Sequence, residues 1–424
     1  MAMNTQDALV SMKKTTHAFT GATGLLALVA IAAIWAGTGP LRPWAVVLLA
    51  ISAACAWLAH CGRLTQERQA RVERGDPDLF IECNAARSEE AVRGGSVPRW
   101  SAFRRWIARR FFGHRLMVGD TVRVESLEAI RASLDGSACL DGLPFMDEMA
   151  AFCGKTLRVY RVVDKIYDYG RSRQMRRLDD CVLLVDLRCD GGAHAGCEAA
   201  CYLIWKSAWL QVVEPAAIAV EAHGAASAPS PVADEKISCQ YTQLTEASRP
   251  LREFGMYAVL GPLVVGNVTL GAFMVAMQTR CFNVLQIWRG GASYPAMPAP
   301  SDDKSIKGDT LQAGDWVRVK LPADLARAMN RNSKNRGLWF DRDMLKHSGQ
   351  ARRVRGRIEK IIDIHSGKMI PMKTTCIVLD GVDYSGEFQG FGEQHDFLYW
   401  REAWLTRIEP PAAQAASRIE ASAK

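Results

Sequence analysis

The chain lacks the short motifs that carry the commonest enzyme chemistries. It has no nucleophile elbow, no Walker loop, no HExxH and no GxGxxG in a strand–helix setting. That leaves out the α/β-hydrolase, P-loop, zincin and dinucleotide-binding classes. Acidic residues are missing between Glu90 and Asp120, where seven arginines stand: Arg93, Arg99, Arg104, Arg105, Arg109, Arg110 and Arg115. The formal net charge of +8 is therefore local, because only 8 − 7 = +1 remains outside this segment. A mean hydropathy of −0.06 is too low for a polytopic transporter.

Charge is also absent from Ala18 to Leu41, and His60 alone interrupts a second apolar stretch from Pro43 to Gly62. Each is roughly 20 residues, enough at about 1.5 Å per residue to cross a hydrocarbon core of about 30 Å. With the Gly39-Pro40 turn and flanking Trp35 and Trp44, residues 18–62 predict a two-helix transmembrane hairpin behind a tail at 1–17. A signal peptide and a water-soluble helical hairpin are the alternatives. Lys13 and Lys14 before the pair, and Arg63, Arg68, Arg71 and Arg74 after it, place both flanks in the cytoplasm. The expectation is a bacterial inner-membrane protein with cytoplasmic termini and domains.

Residues 63–118 read as a basic amphipathic segment beside that membrane. Trp100, Phe103, Ile107 and Phe111 recur at helical spacing, with Arg99, Arg104, Arg105 and Arg109 among them. Such a helix suits a lipid headgroup layer, which makes the bilayer the expected partner. Nucleic-acid binding is the disfavoured rival, and a solvated helix packing its aromatics on its own domain is the plainer reading.

Displacing the sequence by 195 residues aligns Gly119–Pro215 with Gly314–Pro410 without a gap, and 26 of 97 pairs are identical. Roughly 6% identity is expected by chance. GDTVRV pairs with GDWVRV, Phe145 and Met149 with Phe340 and Met344, and Trp205 and Trp209 with Trp400 and Trp404. A duplication explains this, giving domains at 119–215 and 314–410. Within each copy the pattern predicts a GDxVRV strand, a short helix (Leu127–Leu134; Asp324–Asn330), strands such as Gln350–Asp363 and Cys376–Val382, and a tryptophan-bearing end. The fold class expected is mainly β (α+β): two tandem SH3-like small barrels behind the hairpin, with the tryptophans as core. Residues 216–236 form an Ala/Ser/Pro linker, 237–313 a connecting segment, and 411–424 a tail. Phe254–Thr279 is uncharged but broken by glycines, so short helices on the second domain or at the membrane are expected over a third span.

The chain has 12 cysteines. RCDGGAHAGCEAAC places Cys189, His194, Cys197 and Cys201 at C-x4-H-x2-C-x3-C spacing, the ligand count of a closed Zn²⁺ site. An iron–sulfur cluster, disulfides or redox thiols, and plain burial are the alternatives. The second copy has Tyr384, Gln389, Gly392 and Asp396 there, so a metal would be a local staple of copy one. Asp341, Asp343 and His347 read as exposed turn residues.

The stretches DGLPFMDEMAAFCGKTLRVYR, LRCDGGAHAGCEAAC and WKSAWL resemble a bacterial hypothetical-protein family with tandem domains. NRGLWFDRDML, RIEKIIDIHSGKMI, CIVLDGV and YWREAWLTRIE resemble its second half, and ISCQYTQLTEA, GNVTL and YPAMPAP its middle. The resemblance covers roughly residues 79–410, about three quarters of the chain, and omits the hairpin. It implies no activity. It implies cysteines where Tyr384 and Asp396 stand, and a Cys-Pro-Arg run before the final tryptophan segment. Both are missing, which leaves no second metal site. The leading functional expectation is a non-enzymatic, membrane-tethered interaction module with a structural metal site and a protein partner. The alternative is a metal- or redox-dependent enzyme or sensor using Cys189, His194, Cys197 and Cys201.

Overall fold

The computed structural model describes residues 42–75, 92–95, 100–168, 174–214, 237–251, 256–297, 306–386, 391 and 394–410. Copy one opens with β1 (Thr121–Val124) and a one-turn helix capped by Ser126 (Leu127–Ala132). A two-residue hairpin follows, β2 (Cys139–Leu140) and β3 (Leu143–Pro144), then a 3₁₀ turn at Asp147–Phe152. The long strands β4 (Thr156–Tyr167) and β5 (Met175–Arg188) come next, then β6 (Tyr202–Lys206) and β7 (Leu210–Val212). All pair antiparallel in the order β6-β5-β4-β1-β7, and β8 (Ser248–Pro250) adds to β5.

Copy two repeats this at the same displacement. Its elements are β9 (Trp316–Val319), a helix at Pro322–Arg327, β10 (Lys334–Asn335), β11 (Leu338–Trp339), a 3₁₀ turn at Arg342–His347, β12 (Ala351–Ile362), β13 (Met369–Leu379) and β14 (Leu405–Ile408). Even the irregularities recur. β4 bulges between Val159 and Arg161 and between Val163 and Lys165, and β12 between Val354 and Gly356 and between Ile358 and Lys360. Each extra residue sharpens twist and lets a two-layer sheet bend over its core. The counterpart of β6 survives in copy two as a bridge between Ile377 and Trp400.

The cores are tryptophan-centred. Trp205, Trp209, Trp400 and Trp404 are at most 1% exposed. Phe145 meets Trp209 edge-on at 5.4 Å and Phe340 meets Trp404 at 5.0 Å, the T-shaped geometry that aligns ring edge with ring face.

Two features correct the expectation of tandem barrels behind a membrane hairpin. Neither sheet closes: among the described residues no ladder joins β6 to β7 or β13 to β14, so each copy is an open, bent antiparallel sheet. The architecture as a whole mixes helices with these sheets. Second, among the described residues no helix is long and apolar enough to cross a membrane. The first apolar stretch, Ala18–Leu41, lies outside the described residues. The second belongs to one 33-residue helix, α1 (Arg42–Arg74), which runs without a break past Gly62 into Arg63, Glu67, Arg68 and Arg71. Its buried stripe includes Ser52, Ala59, Cys61, Thr65, Gln69 and Val72, a protein-facing set with polar members. Gln69 accepts a hydrogen bond from the Ala296 backbone at 3.0 Å, and Val72 joins the core of copy two. The stretch reads as apolar because its Ala, Leu and Val side chains are apolar whether they pack on protein or on lipid. The inner-membrane placement and the orientation drawn from it therefore find no support among the described residues.

The helix after Ser101, α2 (Ala102–Phe112), is also tied to protein. Arg104 donates to the carbonyls of Leu263 and Val264, at the end of a helix over Met256–Val265, and lies 4.2 Å over the Trp100 ring. Arg105 makes a two-pronged pair with Asp120, at 2.6 and 3.0 Å. Trp100 donates to the Val118 carbonyl at 2.8 Å. Two of the arginines assigned to a headgroup layer are thus spent on protein acceptors, and Ile107 is half-buried. Phe103, Arg109 and Phe111 stay exposed, while Arg99 lies outside the described residues. The Met256–Val265 helix and a longer one over Leu270–Trp288 replace the doubtful third span. They pack against β4 of copy one and against α1, and also on the second copy, as expected, through a cluster of Phe273 and Ala276 with Phe391. Asn267 fixes the junction by bonding both backbone groups of Val162, at 3.0 and 2.7 Å.

Candidate metal centre between the copies

Strand β5 ends at Arg188, which sets Cys189 at the mouth of the sheet. The chain then makes a 3₁₀ turn at Gly192–His194 and returns to β6, Cys189 donating its N–H to the Cys201 carbonyl at 2.8 Å. Gly191 sits at φ +76°, and a Cβ there would overlap the Cys197 carbonyl. Glycine is therefore what lets the loop fold tightly enough to aim His194 inward.

The side chain that meets His194 is Glu148, from the 3₁₀ turn of the same copy. His194 Nε2 lies 3.2 Å from Glu148 Oε1. Glu148, Cys189 and His194 each offer one ligand atom within 4.8 Å of the others, a group that could hold a metal ion. His194 is 3% exposed, yet its Nδ1, like Glu148 Oε2, finds no hydrogen-bond partner. Orphaned buried polar atoms are costly in a protein interior, and a cation would satisfy them. Burial pushes the Glu148 carboxyl up, but the hydrogen bond and charge of His194 outweigh it and hold it below the usual range. Burial pushes the Cys189 thiol well up, and the Glu148 charge adds to this.

The four residues singled out by spacing do not all converge. Cys189 and His194 do. Cys197 turns toward copy two, where its Sγ accepts from the Ile362 backbone at 3.4 Å. Cys201 lies beside Cys239 and Asp396, its thiol pushed far up by burial and then by the Asp396 charge. Spacing missed Glu148, although an acid stands at this place in both copies, Glu148 and Asp343.

At that place copy two is built differently. Lys346 Nζ lies 3.1 Å from Asp343 Oδ2 and 2.6 Å from Ser385 Oγ, while the Ser385 backbone donates to Asp343 at 2.6 Å. The side chains of Asp343 and Lys346 are 2% and 3% exposed. His347 is 7% exposed and edge-on to Trp400, and Asp341 is half-buried, its N–H in contact with Met344 Sδ. The three do lie on a turn, capped by Asp341, but their expected exposure is overturned, because Asp343 and His347 are buried and Asp341 is half-buried.

The metal group opens on a cavity of about 360 Å³ lined by both copies. Cys189, Cys197 and Cys201 line it from copy one, Cys239 from the connecting segment, and Tyr384 and Asp396 from copy two. Tyr384 and Asp396 occupy the places of Cys189 and Cys201 in the duplication, so the second copy supplies the opposite wall. An approximate two-fold relates the walls. The Arg188 guanidinium donates to the carbonyls of Ala200 and His395, at 3.0 and 3.3 Å, and lies between the rings of Tyr202 and Phe397, at 3.7 and 3.9 Å. Each of those pairs is one position in the two copies. The chain matches no family model and no curated protein.

Proposed function

We propose that this chain is a metal-dependent binding module, holding Zn²⁺ on Glu148, Cys189 and His194 at the wall of a ligand cavity between its two copies. One observation carries the reading. Copy two neutralises its buried acid, Asp343, with the ammonium of Lys346. Copy one has Ala151 in place of that lysine, and its acid faces a thiol and an imidazole, with Glu148 Oε2 and His194 Nδ1 left without hydrogen-bond partners. An ion from solution would do for Glu148 what Lys346 does for Asp343. One sulfur, one nitrogen and one oxygen ligand suit Zn²⁺ and give too few thiolates for an iron–sulfur cluster. Three protein ligands leave a coordination position facing the cavity, the arrangement of sites that take a further ligand. The test is elemental analysis of the full chain. One zinc equivalent is expected in the wild type and in Cys201→Ser, with loss in Glu148→Gln and Cys189→Ser. A metal-free wild type, or zinc retained by both of the last two variants, overturns the assignment.

A second reading, a protein-interaction module, is favoured by helix α2. Phe103, Trp106 and Phe111 are 67%, 54% and 55% exposed and form a ladder of ring contacts at 6.0 and 5.6 Å. Exposed aromatic clusters of this kind mark contact surfaces. Sedimentation tests it: association with concentration that Trp106→Ser abolishes supports the reading, and a wild type monomeric at all concentrations removes self-association as its form.

A further inference from the structure

We infer that the cavity between the copies takes an apolar ammonium compound, a hydrocarbon or arene of modest size bearing one positively charged amine. This rests on the proposal that the cavity is a binding site and adds the class of ligand to it.

Size comes first. At about 360 Å³ the cavity falls in the range of small-molecule sites, roughly 300–1,000 Å³. The wall is mostly hydrocarbon, with Leu203 from copy one and Ile361, Ile362 and Ile364 from copy two. Such a wall rewards an apolar body in proportion to the area it removes from water.

Charge decides the head group. Three carboxyls line the cavity, Glu148, Asp341 and Asp396, and among the described residues no lysine or arginine does. The Arg188 guanidinium, whose charge acts on Asp396, is already paired with Asp383 at 3.2 Å. Glu148 and the Cys189 thiolate would together offset the charge of a bound Zn²⁺, which leaves Asp341 and Asp396 with no lysine or arginine beside them in the lining. A ligand carboxylate would face both at short range, whereas an ammonium would supply the missing counter-charge. Burial pushes both acids above their usual range, and the charges of Lys346 and Arg342 on Asp341, and of Arg188 on Asp396, offset it only in part.

The rings point the same way. Trp339, Tyr384, Phe397 and Tyr399 line one side of the cavity, all from copy two, with Asp396 beside them in the chain. Aromatic faces attract cations through their quadrupole, and an ammonium between rings and a carboxylate is bound by both. Copy one contributes a single Phe, Tyr or Trp ring to the lining, Tyr202, and carries two cysteines, Glu198 and two alanines at 197 to 201. The asymmetry that leaves copy two without metal ligands gives it an aromatic and acidic wall.

Calorimetric titration of the zinc-loaded full chain with phenylbutylamine, phenylbutanol and phenylbutyrate at neutral pH tests the inference, since all three carry a phenyl ring on a four-carbon chain and differ at its end. The amine is expected to bind roughly tenfold or more tighter than the alcohol, and the carboxylate more weakly than either. Asp396→Asn is expected to bring the amine down to the level of the alcohol, and Asp341→Asn serves as a second variant should the first fold poorly. Binding of the alcohol with no preference for the amine overturns the ammonium class and leaves the cavity reading standing. A carboxylate that matches the amine, or a preference unchanged in both variants, overturns it equally. If no compound binds, the cavity reading fails as well, while zinc content reports separately on the metal.

Discussion

Arg188 pairs with its own counterpart. The guanidinium lies 3.2 Å from the carboxylate of Asp383, the residue that occupies its place in the second copy. Two residues related by a two-fold meet only on the axis, so this pair marks where the copies face each other. With side chains 12% and 18% exposed, removal of either leaves a poorly solvated charge. Arg188→Ala is expected to cost about 3 kcal/mol, read as a lower urea midpoint. Arg188→Ala with Asp383→Ala should cost less than the two single changes added together. Strict additivity would show that the pair does not hold the copies together.

Gly191 sets the loop that carries His194. Alanine at φ +76° adds about 1–2 kcal/mol of left-handed backbone strain, and its Cβ displaces the Cys197 carbonyl. Gly191→Ala is therefore expected to lose zinc affinity and stability together. Gly154, also at positive φ but with open space around its Cβ, provides the control. Gly154→Ala should cost stability alone and keep the zinc.

How far these features can be read from sequence depends on how local they are. The duplication, the GDxVRV strands and the buried tryptophans are legible because each sits in a short pattern that recurs with its spacing intact. Cys189 and His194 are legible for the same reason. Glu148 is not, because it reaches the site from a different turn far upstream. Cys239, Tyr384 and Asp396 arrive through the packing of one copy on the other, which no local pattern encodes. The second copy looks chemically blank by ligand spacing, since its cation is a lysine in place of Ala151. Helix α1 misleads in the opposite direction. An alanine-rich stripe packed on protein has the hydropathy of one packed on lipid, and the charged continuation past Gly62 alone distinguishes them.

The built-in cation of copy two has its own consequence. Asp343 and Lys346 are nearly inaccessible, so Lys346→Met leaves a buried carboxylate with only Ser385 for a partner. A loss of about 3–5 kcal/mol is expected, measured by urea denaturation. Adding Asp343→Asn removes the stranded charge and should recover most of it. A double variant as unstable as the single one would mean that Lys346 acts by packing its methylenes.

Asp396 gives the module a pH dependence with a definite sign. Burial raises its carboxyl from 3.8 to about 6, against the hydrogen bond from the Tyr241 hydroxyl at 2.8 Å and the charge of Arg188. A carboxyl raised in the folded chain holds its proton there more tightly than in the unfolded chain. Its contribution to stability is thus fully present below the unfolded value and is lost as pH rises through about 6. The loss amounts to at most about 3 kcal/mol, from 1.36 kcal/mol per pH unit over the interval. Carboxyls held low, Glu148 and Asp179 among them, lend stability that grows with pH, so the wild-type profile mixes both signs. The difference between wild type and Asp396→Asn isolates the one group. Asparagine cannot ionise, so the variant should gain on the wild type between about pH 4 and pH 7, with the gain levelling off above the Asp396 value. A difference that stays flat across that interval would place the Asp396 carboxyl back at its ordinary value and remove the burial cost from the cavity wall.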